Sequence, residues 1–304
     1  MTLATEGVSV AEFIEAQKVR IESMMQRRFE KRPPWPPRLE EAVRYSLFAG
    51  GKRLRPVLAL TVVELLGRDF TKFENLFIAL ECIHTYSLIH DDLPSMDDDE
   101  LRRGQPTSHK KFGEAVAILA GDALLTYAFE IISEETFMKN FQEANVVRCL
   151  NHIAAASGAG GMVGGQFIDV NGGDKPDTEE RLREMHSLKT AKLLAASVTA
   201  PAILAGSHGL IQQKLTDYGN SIGLAFQILD DILNVVGNEQ EMGKSPGSDQ
   251  QKGKWTYPRV VGVPVAMERA RELCSKAKYA LDAFPQDKRK PLELLADFII
   301  ERMK

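Results

Sequence analysis

The 304-residue sequence predicts an all-α fold. Apolar residues recur at helical spacing along nearly the whole chain, and strand-like alternation bounded by turn pairs is nearly absent. The first helix is expected over 11–29, where Phe13, Ile14, Val19, Ile21 and Met24 alternate with charge, and the KRPPWPP segment at 31–37 ends it. Helix resumes over 39–48 and stops at Ala49-Gly50-Gly51. Residues 56–66 and 74–92 follow, parted by the polar GRDFTK turn. Further helices are expected over 114–132, 143–157, 178–205, 211–236, 263–284 and 291–303. The run Asp177-Thr178-Glu179-Glu180 reads as a helix start, a capping side chain followed by acids in the first turn.

No Gly-, Pro- or Ser-rich linker divides the chain and no fixed repeat is visible, so residues 1–304 read as one domain. The stretches 115–129 and 193–204 are apolar on nearly all sides, which suits the centre of a bundle or a subunit interface, and a homo-oligomer is expected. The same stretches carry Asp122 and Pro201 and read as too short to span a bilayer. With 38 basic against 42 acidic residues and a net charge of -4, no global basic field would gather nucleic acid or an anionic membrane. Cys82, Cys149 and Cys274 form no CxxC or Cys/His spacing and read as buried free thiols in a reducing compartment. The opening MTLATEGVSVAEF has no signal-peptide pattern, and a cytoplasmic location is expected.

Two acidic pairs end apolar helical runs: Asp91-Asp92 in LIHDDLPSMDDDELRRG, and Asp230-Asp231 in FQILDDILN. Either pair alone is well explained as solvated acid at a helix end; together they favour a cation site. Carboxylates without histidine or thiolate select a hard divalent ion, and magnesium binds through one or two carboxylates, waters and phosphate oxygens. On a straight helix Asp91 and Asp97 would stand about 120° apart, but Pro94 forces a loop that can swing Asp97 back. Basic residues lie nearby in sequence: Arg102 and Arg103, Lys52, Arg53 and Arg55 in GGKRLRP, and Lys244 and Lys254 in the turn-rich 242–262. These are either solvated loops or anion sites, and 242–262 is either a surface loop or a lid. Lys189, inside an apolar helix, either snorkels or meets an anion.

GGKRLRP, ECIHTYSLIHDDLPSMDDDELRRGQPTSHKKFG, LAGDALL, GGQFIDV, HSLKTAKLL, FQILDDILN and GSDQQKGKWTYP, in this order, resemble the short-chain trans-isoprenyl diphosphate synthases, most closely the bacterial farnesyl diphosphate synthases. The resemblance runs from about residue 39 to the C-terminus. It implies an all-α isoprenoid-synthase bundle, a homodimer, three magnesium ions, and condensation of isopentenyl diphosphate with allylic diphosphates up to fifteen carbons. By resemblance, Asp91, Asp97 and Asp230 hold metal. Gly51, Lys52, Arg55, His84 and Arg103 correspond to the isopentenyl diphosphate site. Arg102, Lys189, Thr190, Gln227, Lys244 and Lys254 correspond to the allylic site, and Tyr86 and Ser87 to chain-length control. Tyr86 lies about 7.5 Å below Asp91 along a helix, where the growing tail must pass. Gln166 and Asp169 are expected to support the site.

The second motif departs from the family pattern, with Asn234 in place of a third aspartate; a neutral amide there weakens the cation site if that position reaches metal. Asn238, Met242 and Trp255 also depart from it around the 242–262 segment. Geranyl or geranylgeranyl diphosphate as product, a non-catalytic synthase-like subunit, and a magnesium-dependent cyclase or phosphohydrolase are the alternatives.

Overall fold

The computed structural model describes residues 9–171, 178–236 and 255–301. Helix α1 (Val10–Lys31) opens on a capping box in which the Ser9 hydroxyl accepts from the Glu12 amide and the Glu12 carboxylate takes the Ser9 N–H. The proline-rich break then seats Trp35 edge-on against Tyr127, 5.1 Å between ring centroids. There follow α2 (Pro37–Leu47), α3 (Leu54–Leu65) and, after one 3-10 turn, α4 (Glu74–Asp91). A two-residue hairpin, β1 (Leu101–Arg102) with β2 (Gln105–Pro106), is the sheet among the described residues. Next come α5 (Ser108–Phe112), α6 (Glu114–Ile132), α7 (Glu135–Met138), α8 (Glu143–Ser157), α9 (Met162–Val170) and α10 (Glu179–His186). A π turn (Ser187–Ala191) leads into α11 (Lys192–Leu204), α12 (Gly209–Val236), α13 (Tyr257–Val261), α14 (Val263–Ala280) and α15 (Gln286–Glu301).

Helix α11 is the axis of the bundle. Every residue from Leu193 to Leu204 is buried, and the helix packs on α3, α8 and α12. Its hydroxyls stay satisfied in that apolar setting because Ser197 and Thr199 each donate to a carbonyl one turn back, at 2.9 Å. Helix α12 lies close against this axis: a Cβ on Gly219 would come 2.7 Å from Ala195 Cα, and one on Gly223 would come 2.7 Å from Ala191 Cα. That backbone-to-backbone approach sets the height at which the next turns of α12 present Gln227 and Asp230.

Several expectations needed correction. The single helix expected over 178–205 is present but carries a π turn at 187–191 that spacing did not reveal. Its start is as read, with Thr178 accepting from the Arg181 amide. The expected helix at 291–303 begins at Gln286 and carries Pro291 inside it. Helix α9 was missed because GGQFIDV is short and glycine-rich. Helix α6 is 19 residues of mean hydropathy 1.8, long and apolar enough to cross a membrane, so the reading of that stretch as too short does not hold. It is 44% buried and packs against α2, α4 and α5. Its outer side leaves Ile118 43% and Leu119 57% exposed, which is not the all-round burial of α11. The three cysteines are free and buried, and burial pushes the Cys149 and Cys274 thiols up to about 12.

Candidate active site

Helices α3, α4, α9, the π turn and α12 enclose a cavity of about 560 Å³. One wall is the last two turns of α4, which present His84, Tyr86, Ser87, His90 and Asp91; the facing wall presents Lys189, Thr190, Gln227 and Asp230. Arg55 reaches in from α3, and Gln166 from α9. Asp91 and Asp230 therefore stand on different walls of one space.

Beyond α4 the chain turns on itself. The Asp97 amide donates to the Asp91 carbonyl at 2.8 Å and the Asp98 amide to Leu93 at 3.0 Å, with Asp98 at φ 47°. This is the return that Pro94 was expected to force, and it brings Asp97 beside Asp91. The next acids divide. Asp98 is exposed, whereas Asp99 is buried and its carbonyl accepts from the Thr107 hydroxyl at 2.8 Å.

The second aspartate of each pair points away from the cavity. Asp92 takes Arg102 as a fork: Nε lies 2.7 and 2.8 Å from its two oxygens and a terminal nitrogen 2.6 Å from one. Burial opposes the Arg102 charge, yet the Asp92 hydrogen bonds and the charges of Asp92, Asp91 and Asp99 outweigh it and raise its pKa. Asp231 accepts from Gln227 Nε2 at 3.0 Å and from the Tyr257 amide at 2.9 Å, and lies 3.5 Å from His186 Nε2. Gln227 in turn accepts from the Thr190 hydroxyl at 2.6 Å. Burial holds His186 at about 3, against the pull of Asp169 and with the push of Lys189, so it is neutral at pH 7.

The cationic end is built behind α4. Arg53, in the left-handed region at φ 50°, is not available to the cavity: it is buried, donating to Glu81 at 2.7 Å and to the Leu47 carbonyl at 2.8 Å. Arg103 reaches the Gly50 carbonyl, and its guanidinium lies where any side chain at Gly51 would be, 2.6 Å from a built Cβ. Burial draws the Arg55 guanidinium down to about 10, with Glu81 opposing and Arg103 adding to the shift. Burial, then the charges of Arg55, Arg103, Arg102 and Arg53, push His84 well below its ordinary value, so it is a neutral ring among cations. Arg55 Nε, His84 Nδ1 and both amide atoms of Gln166 are buried with no hydrogen-bond partner. Of these, Arg55 Nε and Gln166 Nε2 are donors, and beside a cavity they fit an anionic ligand that would complete them.

Lys189 does not snorkel. Its Nζ donates to Asp169 Oδ2 at 2.6 Å, and although burial works against its charge, Asp169, Asp91 and Asp97 raise its pKa. A Cβ at Gly165 would strike the Lys189 backbone, 2.1 Å from its amide nitrogen, so α9 and the π turn meet only because position 165 is glycine.

Of the residues singled out in sequence, Arg55, His84, Tyr86, Ser87, Asp91, Lys189, Thr190, Gln227 and Asp230 line this cavity. Arg102 and Arg103 line a smaller adjoining pocket with Asp92. Lys52 stands 5.2 Å from the Phe298 ring, and Gly51 is beside Arg103. Lys244, Lys254, Asn238 and Met242 lie outside the described residues. Asn234, one turn beyond Asp230 on α12, is 7% exposed and is not among the residues that line the cavity. Sequence reasoning named Asp231 only as a member of the second pair, with no role, and missed His186 and Tyr257. Of these, Asp231 had a signal in its four-residue spacing from Gln227.

Among the described residues no three His, Cys, Asp or Glu side chains converge as a ready metal cluster. Asp91 on one wall, with Asp97 next to it on the return of the chain, and Asp230 on the other fit a magnesium ion that takes its remaining ligands from phosphate and water.

Comparison with known proteins gives one family. The Polyprenyl synthetase family model matches residues 36–291. The chain is 46% identical over 262 residues to a farnesyl diphosphate synthase of Geobacillus stearothermophilus, covering 86% of this chain and 88% of that one. It is 45% identical over 263 residues to a geranylgeranyl diphosphate synthase of Cyanophora paradoxa, covering 86% and 87%. Among solved structures, a geranyltransferase of Helicobacter pylori complexed with magnesium and isoprenyl diphosphate superposes with a TM-score of 0.82 at 32% identity, covering 98% of each chain. With that match across most of its length, the chain belongs to the polyprenyl synthetase family.

Proposed function

We propose that this protein is a magnesium-dependent farnesyl diphosphate synthase, adding isopentenyl diphosphate to dimethylallyl and then geranyl diphosphate. The observation that carries this reading is the two-ended cavity: acids at Asp91 and Asp230 on facing walls, and a cationic end where Arg55 and His84 keep unpartnered buried nitrogens. One diphosphate suits each end. Asp91, Asp97 and Asp230 would hold magnesium, in three ions by family resemblance, and the metal would neutralise charge gathering on the departing diphosphate.

The chain's own residues do the rest. Lys189, fixed by Asp169, gives the allylic diphosphate a charge that does not titrate near neutral pH. The Thr190–Gln227 pair places polar atoms beside the reacting carbon, while Phe226, Met162 and Leu88 line the cavity with apolar surface that keeps water from the cation. As the allylic carbon–oxygen bond breaks, the isopentenyl double bond attacks that carbon and a proton leaves the adduct. The Arg55, His84 and Arg103 end, with Lys52 and Gly51 beside it, suits isopentenyl diphosphate. Arg102 is committed to Asp92, so its part in the allylic site requires that the pair open or present a remaining N–H.

Tyr86, buried on α4 one turn below Asp91, is the floor in this reading, and Ser87 beside it donates to the His84 carbonyl at 2.8 Å. The exposed apolar side of α6 at Ile118 and Leu119 supports a homodimer. The Leu119→Glu variant should sediment as monomer; a dimer unaffected by it would contradict that face. Buried thiols support a cytoplasmic location, and the single buried cluster shared by the helices supports one domain.

Incubation with dimethylallyl and isopentenyl diphosphates and magnesium, read by mass, tests the whole reading. A fifteen-carbon diphosphate is expected. A twenty-carbon product would move the chain to the geranylgeranyl class, and no condensation would end the synthase reading.

A further inference from the structure

His90 has no role in the reading above, yet it lines the cavity beside Asp91. Its ring stands edge-on to Tyr86, one turn below, at 5.7 Å between centroids and 81° between planes. On its other side Nε2 donates to the Ile118 carbonyl of α6 at 3.1 Å, with Asp122 Oδ1 3.9 Å away. The ring fits there only because α6 has a glycine at 121: a Cβ at that position would come 2.2 Å from His90 Nε2. Tyr86 is thus backed on its mouth side by a ring that is itself pinned to a second helix.

We infer that His90 is a specificity-determining positioning residue: pinned to Ile118 through the notch at Gly121, it holds the Tyr86 ring across the path of the growing chain. The inference deepens the farnesyl reading and rests on Tyr86 as the floor. Without His90, Tyr86 gains the space that ring now fills against α6, rotates toward α6 and out of the path, and a further five-carbon unit fits. A purely structural histidine would alter stability and rate while leaving the product distribution as it was.

The test is the ratio of twenty- to fifteen-carbon product, by mass spectrometry at matched turnover, in four variants of the full chain. Tyr86→Ala should lengthen the product. His90→Ala should raise the ratio about tenfold, and the double variant should lengthen no further than Tyr86→Ala alone. Gly121→Ala, which drives the His90 ring toward Tyr86, should shift product toward ten carbons and carries the test by itself if His90→Ala is inactive. Wild-type ratios in His90→Ala, or in Gly121→Ala where the former is inactive, would overturn the inference while leaving the floor intact if Tyr86→Ala still lengthens. If Tyr86→Ala also changes nothing, the floor reading fails and takes this inference with it.

Discussion

The two aspartate pairs look alike in sequence and are built differently. In each, the first member lines the cavity and the second is buried, Asp92 at 3% and Asp231 at 4% exposure. Asp92 meets a full positive charge on Arg102, whereas Asp231 meets a side-chain amide, a backbone amide and a neutral imidazole. Among the described contacts, a guanidinium backs the first pair, and two amides and an imidazole back the second. The first pair is a rigid ionic corner, while the second is a hub that ties Gln227 on α12 to the start of α13.

Substitutions that separate the members of each pair sharpen this contrast. The largest effect is expected for Asp91→Asn, which should lower kcat/KM about 10³-fold with little change in melting temperature. A mild rate loss would remove Asp91 from the metal-facing role. Asp92→Asn should instead cost about 3 kcal/mol of stability, because it takes the forked partner from a largely buried guanidinium and leaves it Asp99 at 3.5 Å. Chemical denaturation reads this directly, and an unchanged midpoint would show that Arg102 finds another partner.

At the second pair the stability cost is smaller. Asp231→Asn should cost about 1–2 kcal/mol, since an amide oxygen still accepts from one of the two donors. Equal losses at positions 92 and 231 would erase the difference between corner and hub. An effect of similar size to that at Asp231, which no substitution of a carboxylate reveals, is in pH. His186 binds its proton far less readily in the folded state, at about 3 against an ordinary 6.5. Its contribution to stability is thus complete above about pH 6.5 and is lost as pH falls toward 3. Between pH 7 and 5 the wild type should lose about 2 kcal/mol more than His186→Phe, measured by thermal melts at both values. Identical acid sensitivity would mean that the imidazole is not held neutral.

The helical class and most helix positions could be read from apolar spacing, because that spacing is the packing itself. Both acidic pairs were visible, but it was the resemblance and not the spacing that singled out Asp91 and Asp230: neighbours on a helix differ by about 100°, and spacing alone does not show which one faces the cavity. The Arg102 fork depends on a hairpin of two-residue strands, too short to leave an alternating pattern. The π turn shifts the hydrogen-bond ladder without altering the apolar spacing around Lys189, so HSLKTAKLL read as plain helix. Asn234 was read as weakening the cation site if that position reaches metal, and its burial, which the motif does not reveal, shows only in the packed structure.

The magnesium activation curves of Asp230→Asn and Asp231→Asn, followed by farnesyl diphosphate formation, test the central claim that one member of each pair serves the metal and the other the frame. Asp230→Asn should raise the half-saturating magnesium concentration about tenfold or more, while Asp231→Asn should leave it near the wild-type value and lower the melting temperature. The reverse pattern, with Asp231 governing magnesium and Asp230 governing stability, would contradict the account.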